Sequence, residues 1–170
     1  MKPTTALAFP ILLALLTLLQ GCGFHLRGTG TSSASLPADI SPLHVQGLPH
    51  RDFLKLKLEN GLVNSGIKIT ENAAEAASLL RITNRRSDRR VMTVDSRGKV
   101  LEYELRESLD FDLLDSSGKA RVSTQPISVI SIYRYEEQVL GGQQEETFLR
   151  EDMWRRLSDQ VLRRMSIQLR

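Results

Sequence analysis

Cys22 is the residue whose surroundings most clearly predict a chemical modification, and it is the single cysteine of the 170-residue chain. It follows an apolar run and is directly preceded by Leu19, Gln20 and Gly21. In a lipoprotein signal, a small residue before the cysteine lets the backbone enter the signal peptidase, and the leucine fills an apolar pocket of that enzyme. The sequence therefore predicts a diacylglyceryl group on the Cys22 thiol and N-acylation of the amine that cleavage exposes. A buried or redox-active thiol is the alternative interpretation.

Residues 1–21 have the pattern of the signal peptide that such a modification requires. Lys2 supplies a basic start, and the segment from Ala6 to Leu19 is almost wholly apolar. This apolar core is shorter than the roughly 20 residues that span a bilayer, and Pro10 interrupts it. A retained transmembrane anchor is the alternative.

The residues after the cysteine predict where the lipidated protein resides. Gly23 stands where an aspartate would, in many Gram-negative bacteria, hold a lipoprotein at the inner membrane. We therefore expect a lipid anchor in the outer membrane, with the protein on the periplasmic side. Three acyl chains exceed what stable anchoring needs. Secretion also removes nucleic acid as a partner, although the formal net charge is +3.

A run of arginines is the strongest charged feature of the chain. On a strand, Arg85 and Arg89 would point to one face and Arg86 and Arg90 to the other. Guanidinium groups bind phosphates through two parallel hydrogen bonds. The alternative is a solvated strand end that nearby acidic residues neutralise, among them Asp88, Glu102, Glu104 and Asp110. As candidate contacts for an anionic lipid head group or an acidic partner surface we take Arg85, Arg86, Arg89, Arg90, Arg97 and Lys99.

The remaining residues do not predict an enzyme. The sequence contains no nucleophile elbow, no phosphate-binding glycine-rich loop and no zinc-protease motif. Its three histidines, His25, His44 and His50, lack partners at metal-ligand spacing. We therefore expect no catalytic residue and no metal site.

The first half of the mature chain has the pattern of a β-α-β unit. Residues 29–38 are rich in Thr, Ser and Gly and are typical of a loose tether. A short strand is predicted at 43–46 and a helix at 53–64 with Asp52 as its N-cap, ending at Gly66. Its apolar residues form one stripe of Phe53, Leu56, Asn60 and Val63 beside another of Leu54, Leu58 and Leu62. A second short strand is predicted at 67–70.

The second half changes to a two-residue period. Extended segments are predicted at 78–93, 101–113 and 121–136, joined by turns at 96–99 and 115–119. A final helix from about 143 to 166 places five apolar residues in an i+4 row, flanked by Phe148, Trp154 and Leu162. We interpret this row as core and not as a cofactor site. It consists of Leu149, Met153, Leu157, Val161 and Met165.

These elements predict an α+β sandwich, in which two amphipathic helices cover the single apolar face of one mixed sheet. The strands joined through the first helix should be parallel, with a right-handed crossover, and the others antiparallel. The expected organisation is a signal peptide over 1–21, a lipidated N-terminus and flexible tether over 22–41, and a single α/β domain over 42–170.

The segment from Gly21 to Gly28, with the sequence Gly-Cys-Gly-Phe-His-Leu-Arg-Gly, resembles the start of mature lipoproteins of the LptE family. The order of elements and the terminal amphipathic helix extend this resemblance over essentially the whole mature chain. It implies a sandwich of two helices and a four-stranded sheet that sits as a plug inside the large barrel LptD. It also implies that the protein helps to assemble that barrel, binds lipopolysaccharide (LPS) and helps to deliver it to the outer leaflet.

Two other functions compete with this expectation. A lipid-carrier lipoprotein of the envelope would need an enclosed apolar cavity. A purely structural lipoprotein would have neither LPS nor a barrel as partner.

Overall fold

The computed structural model describes residues 36–135 and 142–170. Four strands form one sheet in the order β1-β2-β3-β4, with β1 parallel to β2 and the other neighbours antiparallel. The sheet and two helices enclose one apolar core, so the predicted α+β architecture is confirmed. The elements are β1 (Leu43–Gln46), α1 (Phe53–Asn64), β2 (Ser78–Val94), β3 (Val100–Asp115), β4 (Ala120–Arg134) and α2 (Gly142–Gln168).

Helix α1 begins where the sequence predicts, because the Asp52 side chain accepts hydrogen bonds from the amides of Leu54 and Lys55. Of its two predicted stripes, the one formed by Leu54, Leu58 and Leu62 is buried. Leu56 in the other stripe is 47% exposed. Phe53, the first residue of that stripe, contacts the Trp154 ring with the ring centres 6.1 Å apart, so the helix buries its leucine stripe fully and the other stripe only at its start.

Helix α2 buries most of its predicted i+4 row. Met153, Leu157, Val161 and Met165 are all at most 1% exposed. Phe148, which we expected to flank the core, is 68% exposed. The apolar packing of α2 thus lies in its central and C-terminal turns.

The predicted strand at 67–70 does not form. Ile69 makes only an isolated bridge with Leu43, supported by hydrogen bonds from Leu43 to Lys68 and from Thr70 to Leu43. The parallel partner of β1 is instead the N-terminal segment of β2, where Leu43 pairs with Ser78 and Gln46 with Arg81. The β-α-β unit is therefore longer than the sequence indicated.

The folded region begins earlier than the predicted boundary at residue 42. Leu36 and Ile40 are 7% and 0% exposed, and a short 3₁₀ helix spans Ala38–Ile40. These residues belong to the core and not to a tether. The rest of the predicted tether, the signal peptide and Cys22 lie outside the described residues.

Strands β2, β3 and β4 are long, and within residues 36–135 and 142–170 one of their faces carries no helix. Along β3, Leu105, Leu109 and Phe111 are buried under the helices, while the alternate residues form the opposite side, which we call the open face. Strand β4 lies at the edge of the sheet, where Pro126 is tolerated because no further strand needs its missing N–H.

Candidate functional site

A β-bulge in β2 positions the arginines. Thr83 pairs with Asp110 and Arg86 with Ser108, so that two residues of β2 oppose the single residue 109 of β3. Asn84 in this bulge has a φ of 50°, a left-handed conformation that asparagine adopts more readily than most residues. The bulge shifts the alternation of β2, so the odd-numbered residues after it face the helices.

Arg85 and Arg89 are the two arginines on the helix side. Arg85 donates to Asp52, the N-cap of α1, and its guanidinium lies 4.7 Å from the centre of the Trp154 ring. Arg89 donates to Glu146 of α2 at 2.9 Å. Both arginines therefore tie the sheet to a helix terminus.

Glu146 belongs to a charged network between α2 and the sheet. Arg150 donates to Glu146 and also to Glu107, which is 1% exposed. Burial alone would raise the pKa of Glu146, but hydrogen bonds from Arg150, Arg89 and Tyr133 lower it below the ordinary value. Burial and the hydrogen bond to Glu146 raise the pKa of Tyr133 to about 12. The first turns of α2 are thus held by ionic contacts.

Arg86 and Arg90 lie on the open face, as the predicted alternation requires. Arg90 donates to the buried carboxylate of Glu104 at 2.8 Å, and Arg106 lies 3.7 Å from the same carboxylate. Among residues 36–135 and 142–170, Arg86 has no hydrogen bond or ion pair. The acidic residues therefore neutralise part of this face, as the solvated-strand interpretation expects, and leave Arg86 unneutralised.

Arg97 and Lys99 occupy the turn between β2 and β3. Their backbone amides donate to the Asp95 carboxylate at 2.8 and 2.9 Å, and the Arg97 side chain is 83% exposed. Hydrogen bonds from the Lys99 and Arg97 amides lower the pKa of Asp95. The turn presents these two basic residues at the far end of the sheet.

The six predicted contact residues therefore do not form one cluster. They divide into a helix-facing pair, an open-face pair and a turn pair, and their role as contacts stays a prediction. Sequence reasoning did not single out Arg106 and Arg150. The alternation of β3 could have placed Arg106 on the open face, whereas no local pattern connects Arg150 to Glu107.

Two further observations concern the part of the chain that the structure describes. No group of three or more His, Cys, Asp or Glu side chains there could hold a metal ion. Within the same residues, no helix combines the length and the apolar character needed to cross a membrane.

Solved structures of lipoproteins share this fold. The solution structure of lipoprotein B from Nitrosomonas europaea matches with 25% identity and a TM-score of 0.66, covering 85% of this chain and 90% of that one. The crystal structure of a minor lipoprotein from Acinetobacter baumannii has 22% identity and a TM-score of 0.64, with 77% and 94% covered. Rare lipoprotein B from Shewanella oneidensis has 21% identity and a TM-score of 0.63, with 73% and 92% covered.

The comparison with sequence families covers almost the entire folded region. No curated protein matches the sequence. The family model described as "LptE: Lipopolysaccharide-assembly" matches residues 43–165, from the start of β1 to the last turns of α2. The chain therefore belongs to the LptE family of lipopolysaccharide-assembly lipoproteins, which are non-enzymatic and associated with the outer membrane.

Proposed function

We propose that this protein sits as a plug in the LPS-translocating barrel LptD, helps to assemble that barrel, binds LPS and assists its insertion into the outer leaflet. The observation that carries the proposal is the family match over residues 43–165. Its anchor is the acylated Cys22, which holds the domain to the periplasmic side of the outer membrane.

The open face of the sheet supports the role of a plug. A barrel lumen is polar, so a protein inside it needs a surface rich in charged and hydrogen-bonding groups. Arg81 donates two hydrogen bonds to Asp112, at 3.1 and 2.7 Å, and Arg90 pairs with Glu104 on the same face. Such a surface remains stable against a wet, polar wall.

The packing of the core argues against a lipid carrier. Side chains of the sheet and of both helices meet in one cluster, in which Leu58, Phe111 and Leu157 are at most 1% exposed. A cleft of about 590 Å³ borders this core at Leu109 and Ile127, but its lining is mainly polar and charged. A carrier of acyl chains would instead need an enclosed apolar cavity.

The test is affinity purification of the tagged, full-length protein from outer membranes solubilised in mild detergent. We expect a large barrel protein in stoichiometric amount. A second tagged outer-membrane lipoprotein, purified in parallel, controls for non-specific recovery. Recovery of the protein without a barrel would contradict the plug and favour a structural or carrier lipoprotein.

Binding of LPS is tested separately by neutralising the three pairs of basic residues one pair at a time. We expect the open-face variant R86Q/R90Q and the turn variant R97Q/K99Q to bind purified LPS more weakly. The variant R85Q/R89Q should mainly lose stability, because both side chains are engaged with the helices. Unchanged LPS affinity in all three variants would contradict the assignment of these contacts.

A further inference from the structure

One cross-strand row of the open face brings together three polar side chains that have no partner among the described residues. Arg86 of β2 pairs with Ser108 of β3, and Ser108 pairs with Ser128 of β4. Residues in direct register project to the same side of an antiparallel sheet. Within residues 36–135 and 142–170, none of these three side chains has a hydrogen bond or an ion pair. One guanidinium and two hydroxyl groups thus face the same strip of solvent.

This row lines the cleft of about 590 Å³, and Asn84, the bulge residue of β2 with a φ of 50°, lines it as well. Arg106 lies on one side of the row. Its guanidinium is 3.7 Å from the Glu104 carboxylate, a distance too long for a hydrogen bond. At the edge of the sheet, Arg164 of α2 donates to the Pro126 carbonyl at 3.1 Å. Both arginines line the same cleft.

The charge of the cleft favours an anion. Among the described residues, its lining includes the three guanidinium groups of Arg86, Arg106 and Arg164 but a single carboxylate, that of Asp110. Asp110 already accepts a hydrogen bond from Asn84 at 2.6 Å. Guanidinium and hydroxyl donors around an open position match the several acceptor oxygens of a phosphate group.

We propose that Arg86, Ser108 and Ser128, with Arg106 beside them, form a binding site for a phosphate monoester. This inference rests on the proposed function, because it identifies the phosphate groups of LPS as the feature that the open face recognises. Arg106, Ser108 and Ser128 thereby become binding residues that the arginine run alone did not indicate.

The test compares the binding of intact LPS with that of enzymatically dephosphorylated LPS to the full-length protein in detergent. We expect the wild-type protein to bind intact LPS at least about tenfold more tightly, which is the scale of one charge-assisted hydrogen bond. The variants R86Q and R106Q should lose most of this preference, and S128A should lose part of it without any change of charge. R134Q is the matched control, because Arg134 is an exposed arginine of the open face near the opposite end of β4.

The outcomes separate this site from the proposed function. Equal binding of both forms of LPS, or an equal loss in R134Q and R86Q, would overturn the site while leaving the plug intact. Failure of the wild-type protein to bind any LPS or barrel would instead overturn the proposed function. If millimolar inorganic phosphate displaces LPS, the phosphate group alone suffices for binding. If intact LPS binds more tightly than dephosphorylated LPS but free phosphate does not displace it, the ligand is the phosphate group linked to the lipid.

Discussion

Arg150 of α2 donates a hydrogen bond to Glu107 of β3, and this carboxylate is 1% exposed. A charge that is so completely buried is tolerated because a partner of opposite charge accompanies it. The same guanidinium also binds Glu146, which lies one turn earlier on its own helix. One side chain therefore fixes the beginning of α2 both internally and against the sheet.

Removing this guanidinium should destabilise the fold. We expect R150A to lower the free energy of unfolding by about 3–5 kcal/mol, because it leaves the Glu107 carboxylate buried without a cation. R155A is the matched control, since Arg155 pairs with Asp152 at an exposed position and such pairs contribute at most about 1 kcal/mol. Urea denaturation, monitored by circular dichroism, measures the free energy of unfolding of both variants. Similar values for the two variants would show that the Glu107 pair does not hold α2.

Asp52 should stabilise the protein in two separable ways. It caps α1 and accepts the ion pair from Arg85. We expect D52A to lose about 1–2 kcal/mol for the cap alone, with a further loss from the unpaired arginine. D52N keeps an equivalent cap and removes only the charge, so its unfolding midpoint in urea should lie between those of the wild type and D52A. Equal midpoints for D52N and D52A would assign the whole effect to the ion pair.

Gly47 should tolerate no side chain. Its φ is 93°, and a Cβ at this position would lie 2.0 Å from the carbonyl oxygen of Ile82. G98A is the control, because Gly98 has a φ of 81° but open space around it. The free energy of unfolding of G98A should fall only by the roughly 1–2 kcal/mol that a residue with a Cβ costs in the left-handed conformation, and that of G47A should fall by clearly more. Thermal unfolding of both variants measures this difference. Equal losses of stability would mean that the Ile82 carbonyl of β2 can move away from the added Cβ.

The two hairpin turns should make the stability of the fold depend on pH in the acidic range. Backbone amides of Lys99 and Arg97 lower the pKa of Asp95, and the Ser117 hydroxyl and the Lys119 amide lower that of Asp115. A depressed pKa in the folded state contributes stability that is present above the ordinary value of 3.8 and is lost as the pH falls below it.

The variant D95N/D115N keeps an acceptor oxygen in each turn but cannot titrate. We therefore expect its urea midpoint to fall less than that of the wild type between pH 5 and pH 3. D88N is the control, because Asp88 is exposed and has no hydrogen bond in residues 36–135 and 142–170. It should keep the acid dependence of the wild type. Identical pH profiles for D95N/D115N and the wild type would assign the acid sensitivity to other carboxylates.

Cys22 should carry the lipid. We expect the intact mass of the wild-type protein to correspond to a chain that begins at Cys22 and carries three acyl chains, and we expect C22A to remain uncleaved and without lipid. Metabolic labelling with a fatty-acid analogue, followed by mass spectrometry, tests this. A wild-type protein with a free thiol at Cys22 would instead support a role as a buried or redox-active cysteine.

Much of the architecture follows from local sequence patterns. Apolar and polar residues alternate along β3 from Leu101 to Leu113, and this period identifies both the strand and its buried face. The row from Met153 to Met165 identifies α2 in the same way, and Asp52 marks the start of α1. These signals are local, because the period of a strand or helix and the capping of a helix depend on neighbouring residues.

The arrangement of the candidate site depends on contacts that are distant in the sequence. Nothing local distinguishes the segment from Ile67 to Thr70 from a short strand, yet in the fold it makes a single bridge, between Ile69 and Leu43, while β1 forms its ladder with β2. The bulge at Asn84 likewise exists only relative to β3. It decides which arginines face the helices and places Arg86 in register with Ser108. The sequence by itself determined the two helices, the four strands of the sheet and the family. The tertiary structure decided that residues 67–70 form no strand and which charges are neutralised, because strand register is set by non-local pairing.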